Sequence, residues 1–413
     1  MMKKETPVRW YLDLDAEANR LVLGMSNSRV DDHVLFVREP GAEYPAGEVE
    51  IGFYLIVNRD EPSLKNPFRR PIEFLWNRWG HGLYQDGNPV DVDLERYVEH
   101  TYNWAFNSWA ENVWQEFELD GNKVGAPVFI VNYTQSPNYP GEVNEREFRS
   151  VWNQAWFSSL RSASGLYRYA RRTGNRRLME KALLTKELTL SFPQRNGFFY
   201  GLVGTEMEEV EIDGKKYSRS KGWDIHYWGN SNRNPYTWNP RESPFHILDM
   251  SWTALLMLRW YEELENDARL LHYAQAYGES LLQLQSEKGF FPGWLDLHTL
   301  DPMTYLNESP ETSMSATFLL KLYELTGEET YRKAALSAID AVVKEIIPSG
   351  RWEDFETYWS CSRYGSQDLV GKKVSRNNMY KQNNFSMFWT AEALFECFRL
   401  TKEERYLGCG QRT

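Results

Sequence analysis

Apolar residues recur at helical spacing on both sides of a short polar turn between Ser309 and Ala335, SPETSMSATFLLKLYELTGEETYRKAA. Ser309 and Glu311 open the first helix, Thr326-Gly327 makes a tight turn with glycine in the C-capping place, and a second helix runs back from Glu328. This helical hairpin recurs. Gly165 to Ala182 (GLYRYARRTGNRRLMEKA), Leu255 to Ala274 (LLMLRWYEELENDARLLHYA) and Leu394 to Tyr406 (LFECFRLTKEERY) each read as an apolar helix, a polar turn and a second helix. Four copies amount to an internal repeat with one hairpin per unit.

A glycine with aromatic neighbours follows the second helix in three places: Gly197-Phe198-Phe199-Tyr200, Gly289-Phe290-Phe291 and Gly350-Arg351-Trp352. Turns inside the hairpins are short, whereas the connections between them run from about Phe192 to Phe245, Glu287 to Glu308 and Pro348 to Asn383. One rim of the repeat array is therefore tight and the other elaborate. Ahead of the repeats, Val8 to Leu14, Arg20 to Met25, His33 to Val37 and Val49 to Val57 alternate as strands do, and predict a small antiparallel β region over residues 1–68. A helical domain is expected over residues 69–413, with long helices at Leu94 to Leu119 and Arg146 to Gly174 bringing the hairpins to five or six. The last hairpin stops at Thr413 with its second helix barely begun, so a clipped C-terminus is expected.

A chain of 413 residues with 42% hydrophobic content can bury a large core and is neither disordered, collagen-like nor membrane-spanning in composition. The net charge of −11 and the absence of a Lys/Arg cluster argue against nucleic acid as a partner. Cys361, Cys397 and Cys409 are too few for a disulfide framework and read as reduced thiols. The N-terminus, MMKKETPVRW, has no apolar run, so a cytoplasmic location without a membrane anchor is expected unless an export segment has been trimmed.

Hairpins that close into a ring make an (α/α)6 toroid, and the repeat, down to LYELTGEETY at Leu322 to Tyr331, resembles the six-hairpin glycosidase superfamily. The resemblance spans roughly Pro71 to Thr413 and lies in the repeat unit, not in a catalytic signature. It implies a mainly α fold, and a sugar-holding funnel at the N-terminal ends of the inner helices, the rim that carries the long connections.

The side chains of that rim suit a carbohydrate. Trp223, Trp228, Trp238, Trp294, Trp352 and Trp359 all fall in the long connections, where indole faces can stack on pyranose C–H faces or simply plug the ring. Cleaving a glycosidic bond takes two carboxyl groups, one to protonate the leaving oxygen and one to activate water or attack the sugar. The candidates are Asp224 with His226 in the longest connection, Asp249 with His246 at the entry to an inner helix, Asp296 after the second glycine-aromatic element, and Asp354 with Glu356. In an extended segment Asp354 and Glu356 would share a side with Trp352. Each acid also has a structural role open to it: Asp249 and Glu311 beside helix dipoles, one of the Asp354 group paired with Arg351 or Arg363. Asn383 and Asn384 precede the last inner helix, where Asn384 reads as the N-cap and Asn383 as an amide for sugar hydroxyls. No metal or cofactor is expected, because the cysteines lack paired spacing and no H-E-x-x-H occurs.

These features favour a glycoside hydrolase acting on an oligosaccharide. A sugar epimerase or polysaccharide lyase would instead move a proton at carbon through His226 or His246, and a non-catalytic binding protein would use the aromatic funnel alone.

Overall fold

The computed structural model describes residues 9–15, 18–31, 35–39, 43, 46–48, 50, 52–60, 63, 68–85, 94–127, 150–154, 157–359, 369–375 and 378–413. Two compact units divide the chain, Met1–Arg59 and Asp60–Thr413, with the break earlier than the expected one after residue 68.

In the first unit, β1 (Arg9–Asp15), β2 (Arg20–Asp31) and β3 (Leu35–Glu39) form an antiparallel sheet in sequence order. The alternating residues Arg9 to Leu14 pair with the run from Ser26 back to Leu21, and Asn19, with φ at 51°, makes the turn before Arg20. The expected fourth strand does not form: residues 52–57 have no strand pairing, and Val49 and Ile51 lie outside the described residues.

The second unit is mainly α. It opens with α1 (Arg69–Leu75), a π-helical turn (Trp76–Gly80), α2 (His81–Gln85), α3 (Glu95–Asn103), a second π-helical turn (Trp104–Ser108) and α4 (Ala110–Val113). The long helix expected to Leu119 ends there. Trp114–Leu119 is instead β4, paired antiparallel with β5 (Asn122–Pro127) across Asp120-Gly121, whose φ angles of 51° and 79° give the left-handed turn a two-residue hairpin takes. The helix expected from Arg146 is also shorter: Ser150–Trp152 is strand β6, and Arg146 lies outside the described residues.

From Ser159 onward the repeat is regular. The hairpins are α5 (Ser159–Thr173) with α6 (Arg176–Ser191), α7 (Ile247–Glu263) with α8 (Ala268–Leu282), α9 (Thr312–Thr326) with α10 (Glu329–Ala341), and, after the short α11 (Ile347–Ser349) and α12 (Phe355–Tyr358), α13 (Asn384–Thr401) with α14 (Glu404–Gly410). The first helix of each hairpin packs on the first helix of the next, α5 on α7, α7 on α9 and α9 on α13, while each carries its own second helix outside. This is the (α/α) toroid arrangement, and four of its hairpins lie among the described residues.

Inner helices approach closely through small hydroxyl residues. Ser251 bonds Ser315 at 2.9 Å, and Ser313 bonds Thr390 at 2.8 Å, so buried polar groups satisfy one another where larger side chains would hold the helices apart. The apolar core fills the space between inner and outer layers, with Leu255, Leu258, Tyr277, Leu281, Phe318, Leu319 and Ile339 all inaccessible. Two of the glycine-aromatic elements seat each connection against the next outer helix. A Cβ on Gly197 would stand 2.3 Å from the Ala276 carbonyl oxygen, and one on Gly289 2.6 Å from that of Ser337. Among the described residues no helix is long and apolar enough to cross a membrane. Cys397 and Cys409 are buried free thiols, and Cys361 lies outside the described residues.

Candidate active site

The long connections return to the inner helices as very short strands. β7 (Phe245–His246) pairs antiparallel with β8 (Trp294–Leu295), placing His246 opposite Trp294. The imidazole therefore stacks on the indole, 4.8 Å between centroids and 13° from parallel. His246 is also the residue before α7, so Asp249 in the first turn lies three residues on and within reach: its Oδ2 is 3.0 Å from His246 Nδ1. The other ring nitrogen, Nε2, is 3.3 Å from Glu311 Oε2. Burial alone would strip the proton from this histidine, but the charges of Asp249 and Glu311 outweigh it and hold the pKa up to about 10. His246 is a fixed cation at neutral pH.

Glu311 occupies the N-cap position of α9, yet its carboxylate does not cap that helix. Oε2 meets His246, and Oε1 accepts the backbone N–H of Phe355 at 2.8 Å. That N–H belongs to the first residue of α12, whose own cap is Asp354. Asp354 Oδ1 accepts Thr357 N at 3.1 Å, the Thr357 hydroxyl bonds back, and Oδ2 accepts Ser386 N at 3.2 Å from the first turn of α13. Complete burial and the neighbouring Glu311 charge raise the Asp354 pKa to about 8 against these hydrogen bonds. One carboxyl of the cluster thus keeps its proton at neutral pH beside an imidazolium flanked by two others.

The remaining expected site residues scatter. The segment around Asp354 is not extended: Phe355–Tyr358 is a helical turn, so the alternation that would set Asp354, Glu356 and Trp352 on one side does not apply. Glu356 is buried next to Asp354 and its charge adds to the upward push on that carboxyl. The carboxylate paired with Arg351 is that of Glu353, at 2.9 Å, which also accepts from the Tyr358 hydroxyl at 2.6 Å and from Gly371 N. Asp296 Oδ1 accepts from His298 N and Thr299 N, both at 2.8 Å, and these bonds hold its carboxyl below the usual range as the pivot of a turn. Asp224 is exposed between two strands.

Among the aromatics, Trp294 stacks on the cluster's His246 and Trp359 packs against Trp294. Together with Tyr236 and Tyr305 they close a ring of contacts, Trp294 to Trp359 at 5.3 Å, Trp359 to Tyr305 at 5.6 Å, Tyr305 to Tyr236 at 5.7 Å and Tyr236 to Trp294 at 6.1 Å. Trp223 instead lies flat on Phe117 at 4.0 Å, Trp228 packs edge-on to Phe192, and His226 bonds the Trp223 carbonyl and meets the Trp228 ring. Trp352 belongs to a separate core with Phe290, Val342 and Ile346, and Trp238 is exposed. Asn383, not Asn384, caps α13, with Oδ1 accepting Phe385 N at 2.9 Å. Glu311 was legible only as a helix-dipole partner, because nothing in Ser309-Pro310-Glu311 shows that a histidine 65 residues earlier returns to it.

No protein-family model matches this sequence, and no curated protein does. Solved structures similar to it include a family GH76 α-mannanase from Bacteroides thetaiotaomicron, at 13% identity over 84% of this chain and 70% of that one, with a TM-score of 0.40. Another is a possible member of the GH105 family from Salmonella enterica, at 14% identity over 82% and 80%, with a TM-score of 0.40. A third is the cellobiose 2-epimerase of Bacillus thermoamylovorans, at 11% identity over 66% and 61%, with a TM-score of 0.44. No residue role is carried over from any of them.

Proposed function

We propose that this protein is a carbohydrate-active enzyme and, more specifically, a glycoside hydrolase that cleaves an oligosaccharide by acid and base catalysis. The observation that carries the reading is the convergence of Asp249, His246 and Glu311 at the starts of inner helices with Asp354 at the start of α12, beside the aromatic ring of Trp294, Trp359, Tyr305 and Tyr236. Bond cleavage needs one carboxyl that still holds its proton and one that does not. Asp354 holds its proton through neutral pH, with Glu356 alongside it, and the Asp354 carboxyl gives that proton to the leaving oxygen. Asp249 accepts a proton from water, and the imidazolium of His246 fixes its carboxylate through Oδ2. An epimerase or lyase would need a histidine that takes a proton from carbon, and a His246 already charged up to about pH 10 suits that role poorly.

Chromatographic product analysis on a panel of neutral oligosaccharides tests the reading. Wild type should release shorter sugars, and Asp249→Asn and Asp354→Asn should each lower kcat by about 10²- to 10⁴-fold, assayed at a temperature where circular dichroism shows each variant still folded. Full cleavage by both variants, or epimerised and uncleaved products from wild type, would sink it.

A further inference from the structure

Asn153 is nearly inaccessible, yet neither Nδ2 nor Oδ1 of its side chain has a hydrogen-bond partner among the described residues. A buried amide with both ends unpaired costs about 1–3 kcal/mol, so such a group calls for an occupant. It lines a small, partly open recess of about 10 Å³ together with Gln154, Asn230, His246 and Asp249, the Gly201 backbone, and the apolar Phe199 and Met250. That is close to the roughly 10–15 Å³ one water requires, and too small for a sugar ring. The other amide with recorded bonds here is spent, since Asn230 Oδ1 accepts Gly201 N at 2.9 Å and its Nδ2 donates to the Ser243 carbonyl at 3.1 Å. Of Asp249, Oδ2 is taken by His246, which leaves Oδ1 without a partner among the described residues.

The Asn153 backbone is held at both ends. Its N–H donates to the Gly201 carbonyl at 2.7 Å, and its carbonyl accepts from the Thr253 hydroxyl at 2.8 Å. Thr253 lies one helical turn beyond Asp249 on α7, about 6 Å along the axis, so the clamp brings Asn153 to the face that carries the acid. Glycine at 201 keeps the wall thin, because a Cβ there would come within 2.4 Å of Gln154 Oε1.

We infer that Asn153 is a positioning residue that holds the attacking water of the hydrolysis against Asp249, an assignment that rests on the glycoside hydrolase reading above. The amide donates one hydrogen bond to the water oxygen or accepts one from its hydrogen, and the second O–H points at Asp249 Oδ1. As the oxygen forms its bond to the anomeric carbon, that proton passes to Asp249. The glycosidic C–O bond breaks, and the leaving oxygen takes its proton from the acid on α12, so protons and charge balance.

Two measurements test this. A crystal structure of the free protein should contain an ordered water within hydrogen-bond distance of the Asn153 amide and Asp249, and a dry cavity there overturns the proposal. On an oligosaccharide that wild type cleaves, Asn153→Ala should lower kcat about 10- to 100-fold with KM within about twofold, and Thr253→Val, which keeps the amide but frees its backbone, should shift kcat the same way by less. A rise in KM at unchanged kcat in Asn153→Ala would make the group a binder of a substrate hydroxyl and overturn the water's assignment. Failure of wild type to cleave any sugar sinks the hydrolase reading and the nucleophile with it, whereas unaltered kcat in both variants sinks the water assignment alone.

Discussion

The two raised pKa values act on stability in the same sense. Asp354 holds its proton up to about pH 8 when folded and only to its ordinary value of 3.8 when unfolded, so its contribution to stability falls as pH rises between those values. His246 contributes fully below its ordinary 6.5, and loses that contribution as pH rises toward about 10. Asp354→Asn removes the first of these while keeping an Oδ1 that can still accept Thr357 N as a helix cap. Wild type should therefore lose more stability between pH 5 and pH 8 than the variant does, as read from urea midpoints at the two pH values. Equal losses would show that Asp354 ionises near its ordinary pKa in the folded chain.

Elements rest on signals of unequal strength. The hairpins from Ser159 onward follow from helical periodicity with caps at Asn175, Asp267 and Asn383, each of which accepts a backbone N–H in its own helix. The glycine-aromatic elements were visible as a repeated wording, and at Gly197 and Gly289 the cause is the backbone of the neighbouring outer helix. Gly289→Ala must meet both φ of 99° and the Ser337 carbonyl, whereas Gly327→Ala, with φ of 77°, meets open space. The second should cost about 1 kcal/mol and the first roughly 2–3 kcal/mol, by denaturant unfolding of the two variants; matching costs would mean that the close approach at Gly289 relaxes freely. Where the sequence was misread, the competing signal was local and short. Asp120-Gly121 marks a hairpin turn after Trp114–Leu119, a segment in which Phe117 and Leu119 are buried and Glu118 between them is not, but the aromatic residues upstream suggested one long helix. Asp354-Phe355-Glu356-Thr357 holds a capping pair, which turns the supposed strand into a helical start. Asn153 carried no signal at all, because an amide ahead of a helix looks the same whether its partners exist or not.

At the scale of the molecule, the charged cluster is also a fastener between segments far apart in the chain. His246 precedes α7, Glu311 starts α9, Phe355 opens α12 and Ser386 lies in α13, and Glu311 and Asp354 bond across all of them. Removing the imidazolium leaves two carboxylates buried without compensation, and breaking a buried pair in this way typically costs about 3–5 kcal/mol, far more than an exposed pair gives up. Glu311→Gln should also destabilise the fold, because it gives up the ionic bond to His246 Nε2 and weakens the acceptor of Phe355 N, although Asp249 still balances the imidazolium. His246→Gln should be costly on that account, as Asp249 and Glu311 then face each other without a cation between them. The double variant loses the contact between His246 and Glu311 only once and carries no repulsion between two carboxylates, so its loss of stability should be smaller than the sum of the single losses by about 1–3 kcal/mol in a urea double-mutant cycle. Strict additivity would mean that the two side chains do not sense each other in the folded protein, and that the contact between the starts of α7 and α9 is held by the Ser251 and Ser315 hydroxyls and the apolar core alone.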